Sequence, residues 1–275
     1  MTHALIESDE LLKRLDSVKI IDASYGGDAQ ENWTKSRIGN AIFFDIDEVA
    51  DHGNDMPHML PSPEDFARAV SAMGISNDDE VVVYDQSGMA MAASRVWWMF
   101  RIFGHDKVRV LNGGLPDWLK QGHPCNTDAP AAPSPATFTA TFKPELVQSM
   151  KGIMQAVEEK TSIIIDARGT SRFSGEDTEQ NPDMRSGHIP GSHNIPFAML
   201  LDPETGKMKD IDALREIFGA VPANAHIVIS CGSGVTACVI ALGFHLLGRA
   251  DIAIYDGSWT EWGRKASNTP VGISA

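Results

Sequence analysis

Short apolar runs alternate with longer segments of helical periodicity along this chain. The runs Ile163–Asp166, Ile227–Ser230 and Ile252–Tyr255 are rich in β-branched residues, whereas Asp210–Phe218 and Val235–Leu247 have the spacing of helices. Short strands that are apolar throughout must be covered on both faces, which is typical of mostly parallel sheets flanked by helices. The pattern therefore predicts an α/β fold.

Four stretches of the first half recur in the same order in the second half. The pairs are Ile20–Ala23 with Ile164–Ala167, Arg37–Ala41 with His188–Ser192, Val81–Asp85 with Ile227–Cys231, and Gly113–Trp118 with Gly257–Trp262. A duplicated domain is the simplest explanation. The segment between the copies is rich in Pro and Ala, which favours an extended linker. We predict domains over residues 1–124 and 146–275, joined by a linker over residues 125–145.

Composition excludes several classes of partner. The chain has 275 residues and a formal net charge of -14, which disfavours nucleic acid as a partner because phosphate binding needs a basic surface. Three cysteines are too few for a disulfide framework and indicate a reducing compartment. The first residues do not resemble a secretory signal, and no apolar stretch is long enough to span a membrane. We therefore expect a cytoplasmic protein without a membrane partner.

Cys231 lies between a predicted strand and a predicted helix, in the loop Cys231-Gly232-Ser233-Gly234-Val235-Thr236. In open α/β sheets, ligands bind at the carboxyl ends of the strands. Two glycines let such a loop turn its N–H groups inward, and the helix N-terminus adds partial positive charge. Both features favour a thiolate, an anionic persulfide or a bound oxyanion. Cys231 is therefore the candidate nucleophile, rather than a structural cysteine such as Cys238 within the apolar helix.

The first copy has Asp85 where the second has Cys231, and an aspartate cannot carry transferred sulfur. We therefore predict that only the second domain is catalytic. A protein phosphatase also places a cysteine before a helix, but it needs an arginine that closes the loop on the phosphoryl group. Residues 236–238 are Thr, Ala and Cys, so a phosphatase is disfavoured. No second His or Cys lies at ligand spacing from His188, and we predict no metal and no cofactor.

Longer motifs extend over most of the chain. They are Phe43–Asp47, His58–Pro61, Arg95–Met99, Asp166–Arg168, Arg172-Phe173, Gly187–Gly191 and Tyr255–Trp259. With the cysteine loop, they make the chain similar to the rhodanese superfamily, and within it to the tandem 3-mercaptopyruvate sulfurtransferases. The resemblance implies two rhodanese-like domains, each with a mostly parallel five-stranded sheet flanked by helices. The thiosulfate branch typically has the charged loop Cys-Arg-Lys-Gly, whereas this loop is uncharged.

The resemblance also implies the catalytic roles. Cys231 would attack the substrate sulfur and carry it as a persulfide to an acceptor thiol, which is covalent catalysis. Ser233 would relay a proton within the loop, or would be a turn residue chosen for its backbone. Asp47 and His58 match an aspartate and a histidine of the family's Ser-His-Asp-like set.

Substrate binding is assigned in the same way. Arg172 matches the family's carboxylate-binding arginine, whose planar guanidinium suits a carboxylate. The family's second arginine falls on Asn181 here, and Arg185 would either replace it or be a surface residue. The backbone of the loop would supply the remaining contacts, from Gly232, Gly234, Val235 and Thr236.

The sequence thus predicts transfer of sulfane sulfur from 3-mercaptopyruvate, a small anionic donor, to a thiol or cyanide. The thiol would belong to a small molecule or to a thioredoxin-like protein. Two alternatives stay open. One is a thiosulfate:cyanide sulfurtransferase, and the other is a non-catalytic persulfide carrier, for which the substitution at Asn181 is some support.

Overall fold

The computed structural model describes residues 4–274, which divide into two compact units. The first unit contains the residues up to His52, with Leu60–Lys143 and Leu201–Met208. The second unit contains Gly53–Met59, Pro144–Leu200 and the chain from Lys209 onward. Each unit therefore includes one short segment from the other half of the sequence.

The first unit is a parallel sheet covered by helices. Its strands are β1 Leu5–Ile6, β2 Lys19–Asp22, β3 Ile42–Phe43, β4 Val81–Tyr84 and β5 Val108–Leu111, in the order β1-β5-β4-β2-β3. Its helices are α1 Ser8–Leu12, α2 Ala29–Lys35, α3 Pro63–Ala72, α4 Met91–Ile102 and α5 Gly114–Lys120. The central strand β4 is buried along its whole length, as its unbroken apolar run requires.

The second unit repeats this arrangement. Its strands are β6 Val147–Gln148, β7 Ile163–Asp166, β8 His193–Asn194, β9 Ile227–Ser230 and β10 Ala253–Tyr255, in the order β6-β10-β9-β7-β8. Its helices are α6 Met150–Glu159, α7 Thr170–Ser174, α8 Ile211–Ile217, α9 Ala237–Leu246 and α10 Ser258–Trp262. Short 3₁₀ turns cover Pro144–Leu146, Phe197–Leu200 and Lys265–Ser267.

The two sheets have the same strand order and the same register. Ile20 in β2 pairs with Val82 in β4, and Ile164 in β7 pairs with Val228 in β9. These pairs occupy equivalent places in the two copies of the sequence repeat. The predicted α/β fold with two tandem, parallel, five-stranded sheets is therefore confirmed.

Burial explains why the β9–α9 connection is held firmly. Ile227, Val228 and Ile229 are inaccessible to solvent, and α9 is buried from Ala237 to Phe244. A strand and a helix that are apolar on all sides can only lie in the interior of a domain. The loop that joins them therefore starts and ends at fixed points within the second unit.

The segment predicted as a linker lies against the first unit. Ala136 N–H donates to the carbonyl of Ser71 at 2.9 Å, and Thr141 N–H donates to the carbonyl of Phe103 at 2.9 Å. Phe138 is buried among the aromatic rings of Phe66 and Phe100. Among residues 4–274, no helix has both the length and the apolar character needed to cross a membrane.

Candidate active site

Cys231 is the first residue after β9, and only 1% of it is exposed. Its backbone N–H donates to the hydroxyl of Ser258 at 3.1 Å, and its carbonyl accepts from the N–H of Trp259 at 3.0 Å. Both partners belong to the start of α10, which follows the neighbouring strand β10. The nucleophile candidate is therefore held on both sides of its Cα by one helix start.

Ser258 supports Cys231 from an unfavourable backbone conformation. Its φ is 48°, in the left-handed region that residues with a side chain rarely adopt, and it is fully buried. Its hydroxyl donates to the carbonyl of Tyr255 at 2.7 Å while it accepts from Cys231 N–H. Such a conformation costs about 1–3 kcal/mol and persists only where the surrounding structure requires it. Gly114, at the equivalent position of the first copy, has φ 55°, so the shared turn requires this conformation, and Ser258 adds a hydroxyl that holds the Cys231 backbone.

The loop after Cys231 contains several backbone N–H groups that are not used within the described residues. Within residues 4–274, the N–H groups of Gly232, Ser233, Val235 and Thr236 donate no hydrogen bond. Gly234 has φ 77°, which lets the loop turn without a side-chain clash. Consecutive N–H groups at the start of a helix form a binding site for anions.

Thr260 and Cys238 hold this loop by hydrogen bonds to its carbonyls. The N–H and the hydroxyl of Thr260 both donate to the carbonyl of Gly232, at 2.8 and 2.7 Å. The thiol of Cys238, the second residue of α9, donates to the carbonyl of Gly234 at 3.3 Å. The carbonyls of Gly232 and Gly234 are thereby occupied, whereas the N–H groups named above stay available to a ligand.

Arg172 lies beside the loop. Its Nη1 is 3.6 Å from the point where a Cβ would stand on Gly232, which is an ordinary van der Waals distance and places the guanidinium next to the loop. Its Nη2 donates to both carboxylate oxygens of Glu179, each at 2.9 Å. The Arg172 side chain is 44% exposed, so a ligand from solvent has access to it. Arg172 is thus the cation that lies beside Gly232, the residue after Cys231.

Arg168 is a second arginine of this region, but it is buried and committed. It forms three hydrogen bonds with the carboxylate of Asp166, the shortest at 2.7 Å, and one with the carbonyl of Gly187 at 2.7 Å. Its guanidinium lies 4.5 Å from the ring centroid of Trp259. Arg168 therefore joins β7 to the start of α10 and leaves Arg172 as the arginine open to solvent.

The Arg185 side chain holds several backbone carbonyls by hydrogen bonds. Its guanidinium donates to the backbone carbonyls of Gly263, Thr269, Trp262 and Arg264, and to the Thr269 hydroxyl, over 2.6–3.2 Å. Those carbonyls lie at the end of α10, where a cation is favourable. Asn181 is exposed, and its side chain accepts from the N–H of Asp183. These bonds leave one N–H of Nη1 unused within residues 4–274, and a part for Arg185 in substrate binding stays a prediction.

The remaining predicted residues are more dispersed. Ser233 is half-buried within the loop itself. His58 is half-buried, with φ 61°, and lies in the segment Gly53–Met59 that belongs to the second unit, as Cys231 does. Asp55 of that segment pairs with Arg264 through both carboxylate oxygens, at 2.9 and 2.8 Å. Asp47 is exposed and belongs to the first unit.

Sequence reasoning missed Ser258, Thr260 and Arg168 as supports of the site. All three lie in stretches that it used only as evidence of the repeat or of the family. The signal that could have found Ser258 is the repeat, because the first copy has Gly114 at the equivalent position. A glycine there indicates a backbone that disfavours side chains, and a serine in its place indicates a role for the hydroxyl.

Comparison with known proteins agrees with the geometry. A family model described as the rhodanese-like domain matches residues 7–121 and 149–265. The chain is 42% identical to thiosulfate sulfurtransferase of Bos taurus over 275 residues, which cover 96% of this chain and 91% of that protein. It is 39% identical to 3-mercaptopyruvate sulfurtransferase of Escherichia coli K12 over 275 residues, 96% of each chain.

Among solved structures, the crystal structure of SseA from Escherichia coli, described as a 3-mercaptopyruvate sulfotransferase, has a TM-score of 0.82 and 37% identity. The match covers 94% of this chain and 99% of that one. Overall identity is therefore similar toward proteins named for either sulfur donor.

Proposed function

Because the chain belongs to the rhodanese-like domain family and its relatives are sulfurtransferases, we propose that it moves sulfur from 3-mercaptopyruvate to a thiol or cyanide acceptor. The observation that carries this proposal is the loop after Cys231. Its residues 232, 233, 235 and 236 have N–H groups without a partner in the described chain, it contains no cation, and Arg172 lies beside it.

The proposed chemistry is a double displacement at Cys231. The Cys231 thiolate attacks the sulfur of mercaptopyruvate, so that an S–S bond forms and the C–S bond breaks. The electron pair of the broken bond goes to carbon as the enolate of pyruvate, which takes up one proton. An acceptor thiolate then attacks the outer sulfur of the persulfide, and Cys231 leaves as a thiolate.

The loop suits both halves of this cycle. The N–H groups of residues 232, 233, 235 and 236 would stabilise the negative charge of the thiolate and of the persulfide. Ser233 would supply or relay the proton that the enolate needs. Asp47 and His58 are proposed to assist that proton transfer, on the basis of the family resemblance.

Arg172 is the proposed partner of the donor's carboxylate. A guanidinium binds a planar carboxylate through parallel N–H groups, and Arg172 is half-exposed beside Gly232. Arg185, which also holds backbone carbonyls after α10, is proposed as the second substrate-binding arginine in place of the one missing at Asn181. A single exposed arginine and an uncharged loop favour a monocarboxylate over the dianion thiosulfate, which would gain from additional cations.

The acceptor is proposed to be a thiol, either a small molecule or a thioredoxin-like protein. A persulfide carrier that turns over no small donor is the second candidate function, because Asn181 removes one cation from the anion site that the family usually has. The two candidates predict the same covalent intermediate but different turnover.

The test compares both donors in one assay with dithiothreitol as the acceptor. We expect pyruvate release from 3-mercaptopyruvate with a higher kcat/KM than sulfite release from thiosulfate. Without acceptor, mass spectrometry should find one added sulfur on Cys231, and none in the Cys231→Ser variant. Faster turnover of thiosulfate would contradict the assigned donor, and a persulfide that forms without turnover of either donor would favour the carrier.

A further inference from the structure

Glu179 lies against the arginine that we assign to substrate binding. Both of its carboxylate oxygens accept from Arg172 Nη2 at 2.9 Å, and Oε1 is also 3.4 Å from Arg168 Nη1. Only 12% of the Glu179 side chain is exposed, and its backbone N–H donates to the hydroxyl of Ser186. A carboxylate that is held this firmly faces the same cation as an incoming anion.

The charges around the loop are balanced with Glu179 present. Arg168 is neutralised by Asp166, since the two side chains share three hydrogen bonds in the interior. Arg172 is neutralised in the same way by Glu179. An anion that binds beside Gly232 therefore meets a guanidinium whose charge is already largely offset.

From this balance we propose that Glu179 is a specificity-determining residue, which weakens the binding of anions at Arg172 in proportion to their charge. The site would then accept a monocarboxylate and disfavour a dianion. This inference rests on the proposed function, because it concerns the choice between 3-mercaptopyruvate and thiosulfate as sulfur donors.

The expected size follows from the Coulomb interaction of one charge with the ligand. At a partly exposed site, removing one negative charge a few ångströms away is expected to change affinity by roughly fivefold per unit of ligand charge. A monoanion should then gain about fivefold and a dianion about 25-fold on the same scale. The ratio of the two donors should shift about fivefold toward thiosulfate.

Glu179→Gln is the central variant, because glutamine keeps the shape and an acceptor oxygen for Arg172. Glu176→Gln is the matched control, since Glu176 lies in the same connection, is exposed and does not touch Arg172. We expect Glu179→Gln to lower KM for both donors, more for thiosulfate, with little change in kcat. The control should leave both KM values unchanged.

Glu179→Asp separates charge from geometry, because it keeps the charge and shortens the side chain. If Glu179 only braces Arg172, then Glu179→Asp and Glu179→Gln should raise KM for both donors by the same factor. That outcome would overturn the proposal. Under the proposal, Glu179→Asp keeps the donor ratio of the unmodified protein.

A second measurement does not depend on sulfur transfer. Iodoacetate and iodoacetamide alkylate thiols by the same reaction, but iodoacetate carries one negative charge and iodoacetamide carries none. The alkylation rate of Cys231 with iodoacetate, divided by its rate with iodoacetamide, therefore reports the local charge. In a Cys125→Ser background, we expect this ratio to rise about fivefold in Glu179→Gln and to fall in Arg172→Gln. The Glu176→Gln control should leave it unchanged.

An unchanged ratio in Glu179→Gln would overturn the proposal. So would complete resistance of Cys231 to both reagents, because it would show that small ligands do not reach the thiol beside Arg172. If the protein turned over neither donor, the proposed function would fail, whereas the alkylation ratio would still decide whether Glu179 controls the charge of this site.

Discussion

The connections after β4 and after β9 share a backbone hydrogen-bond pattern but differ in their functional side chains. Asp85 follows β4 and Cys231 follows β9, and each carbonyl accepts from the second residue of the helix that follows the neighbouring strand. The N–H of Leu115 donates to Asp85 at 3.1 Å, and that of Trp259 donates to Cys231 at 3.0 Å. The repeat therefore preserved the frame while the chemistry changed.

In the first unit, the protein's own carboxylate fills the anion site. Asp85 is buried, and its carboxylate accepts from the hydroxyl of Ser87 at 2.7 Å and from the N–H groups of Gly88 and Ala93 at 3.0 and 3.3 Å. In the second unit, Cys231 stands in place of this carboxylate, and the N–H groups of Gly232, Ser233, Val235 and Thr236 have no partner among residues 4–274. In the first unit, the Asp85 carboxylate thus accepts hydrogen bonds within its own loop, whereas in the second unit the loop of Cys231 keeps N–H groups available to a substrate.

The surrounding charge is also reversed. Counting from the aligned strands β2 and β7, Ser24 corresponds to Arg168 and Asp28 to Arg172. A cavity of about 360 Å³ lies between these loops of the first unit, lined by Ser24, Asp28 and Asp85 among others, and no Lys or Arg lines it. The first unit has neither the cysteine nor the arginine at these positions, so introducing one alone should not create a second active site.

The largest expected effect comes from exchanging the two residues that differ most. Cys231→Ser should lower turnover by more than about a thousandfold, because the nucleophile is removed. Adding Asp85→Cys to that variant should not restore activity, since Asp28 stands where an arginine is needed. Pyruvate release from 3-mercaptopyruvate measures both, and activity in the double variant would refute the explanation from charge.

Arg172→Gln tests the second difference between the units. Loss of a charge-assisted hydrogen bond to the donor carboxylate should lower kcat/KM for 3-mercaptopyruvate by about 10- to 100-fold, mainly through KM. The equivalent change in the first unit, Asp28→Asn, should alter kcat/KM by less than about twofold, as expected for surface substitutions away from a site. If the two variants lowered kcat/KM equally, the claim that only the second unit binds the donor would be wrong.

Much of this frame was predictable from the sequence. The bounds of β4, β7 and β9 are those of their apolar, β-branched runs, because such strands are buried on both faces. The two helices predicted in the second unit were two or three residues too long, as with α9, predicted over Val235–Leu247 and found over Ala237–Leu246. The two-residue strands β1, β3, β6 and β8 were not predicted, because they are too short to show a periodicity.

The candidate site was predictable only where its residues are close in the sequence. The strand, cysteine and glycine loop form one local pattern, and Cys231 was found from it. The partners Ser258 and Thr260 come from a different strand–helix connection, so no pattern around Cys231 indicates them. The carbonyls that occupy Arg185 likewise come from residues 262–269, which the sequence does not connect to it. Contacts at long sequence separation depend on the fold, and only the structure shows them.

Ser258 and Gly114 are the equivalent first residues of α10 and α5, and they differ in how they support the loops after β9 and β4. Both have positive φ, 48° and 55°, but only Ser258 has a side chain that holds the N–H of the nucleophile. Ser258→Ala leaves that buried N–H without a partner and should cost about 1–3 kcal/mol of unfolding free energy. It should also lower kcat/KM about tenfold, because the loop is no longer held in position.

Ser258→Gly should lose the same activity but recover about 1 kcal/mol of stability, since glycine adopts a left-handed conformation without strain. Thermal unfolding and steady-state kinetics separate the two effects. As a control, Gly114→Ala should destabilise strongly, because its Cβ would stand 2.6 Å from the carbonyl oxygen of Asp85. Equal stability of Ser258→Ala and Ser258→Gly would argue against strain at this position.

The smallest expected effect concerns the pH dependence of the filled site. Burial raises the pKa of Asp85 above its ordinary value of 3.8, although hydrogen bonds from Ser87, Ala93 and Gly88 oppose the shift. A carboxyl whose pKa is raised on folding adds stability below its unfolded value and loses it as pH rises through the folded value. The stability of the unmodified protein relative to Asp85→Asn should therefore fall as pH increases above about 4.

Asp117, also in the first unit, provides the opposite sign. Burial would raise its pKa, but hydrogen bonds from Ser8, Lys207 and Gln121 outweigh burial and lower it below 3.8. Its contribution is complete above that value and is lost only in more acidic solution, so the comparison with Asp117→Asn should be level where the Asp85 comparison declines. Urea unfolding of the three proteins from pH 3 to pH 8 measures both slopes. Parallel slopes would mean that the carboxylate of Asp85 is as well stabilised in its loop as that of Asp117, and the filled site would then impose no cost on the first unit.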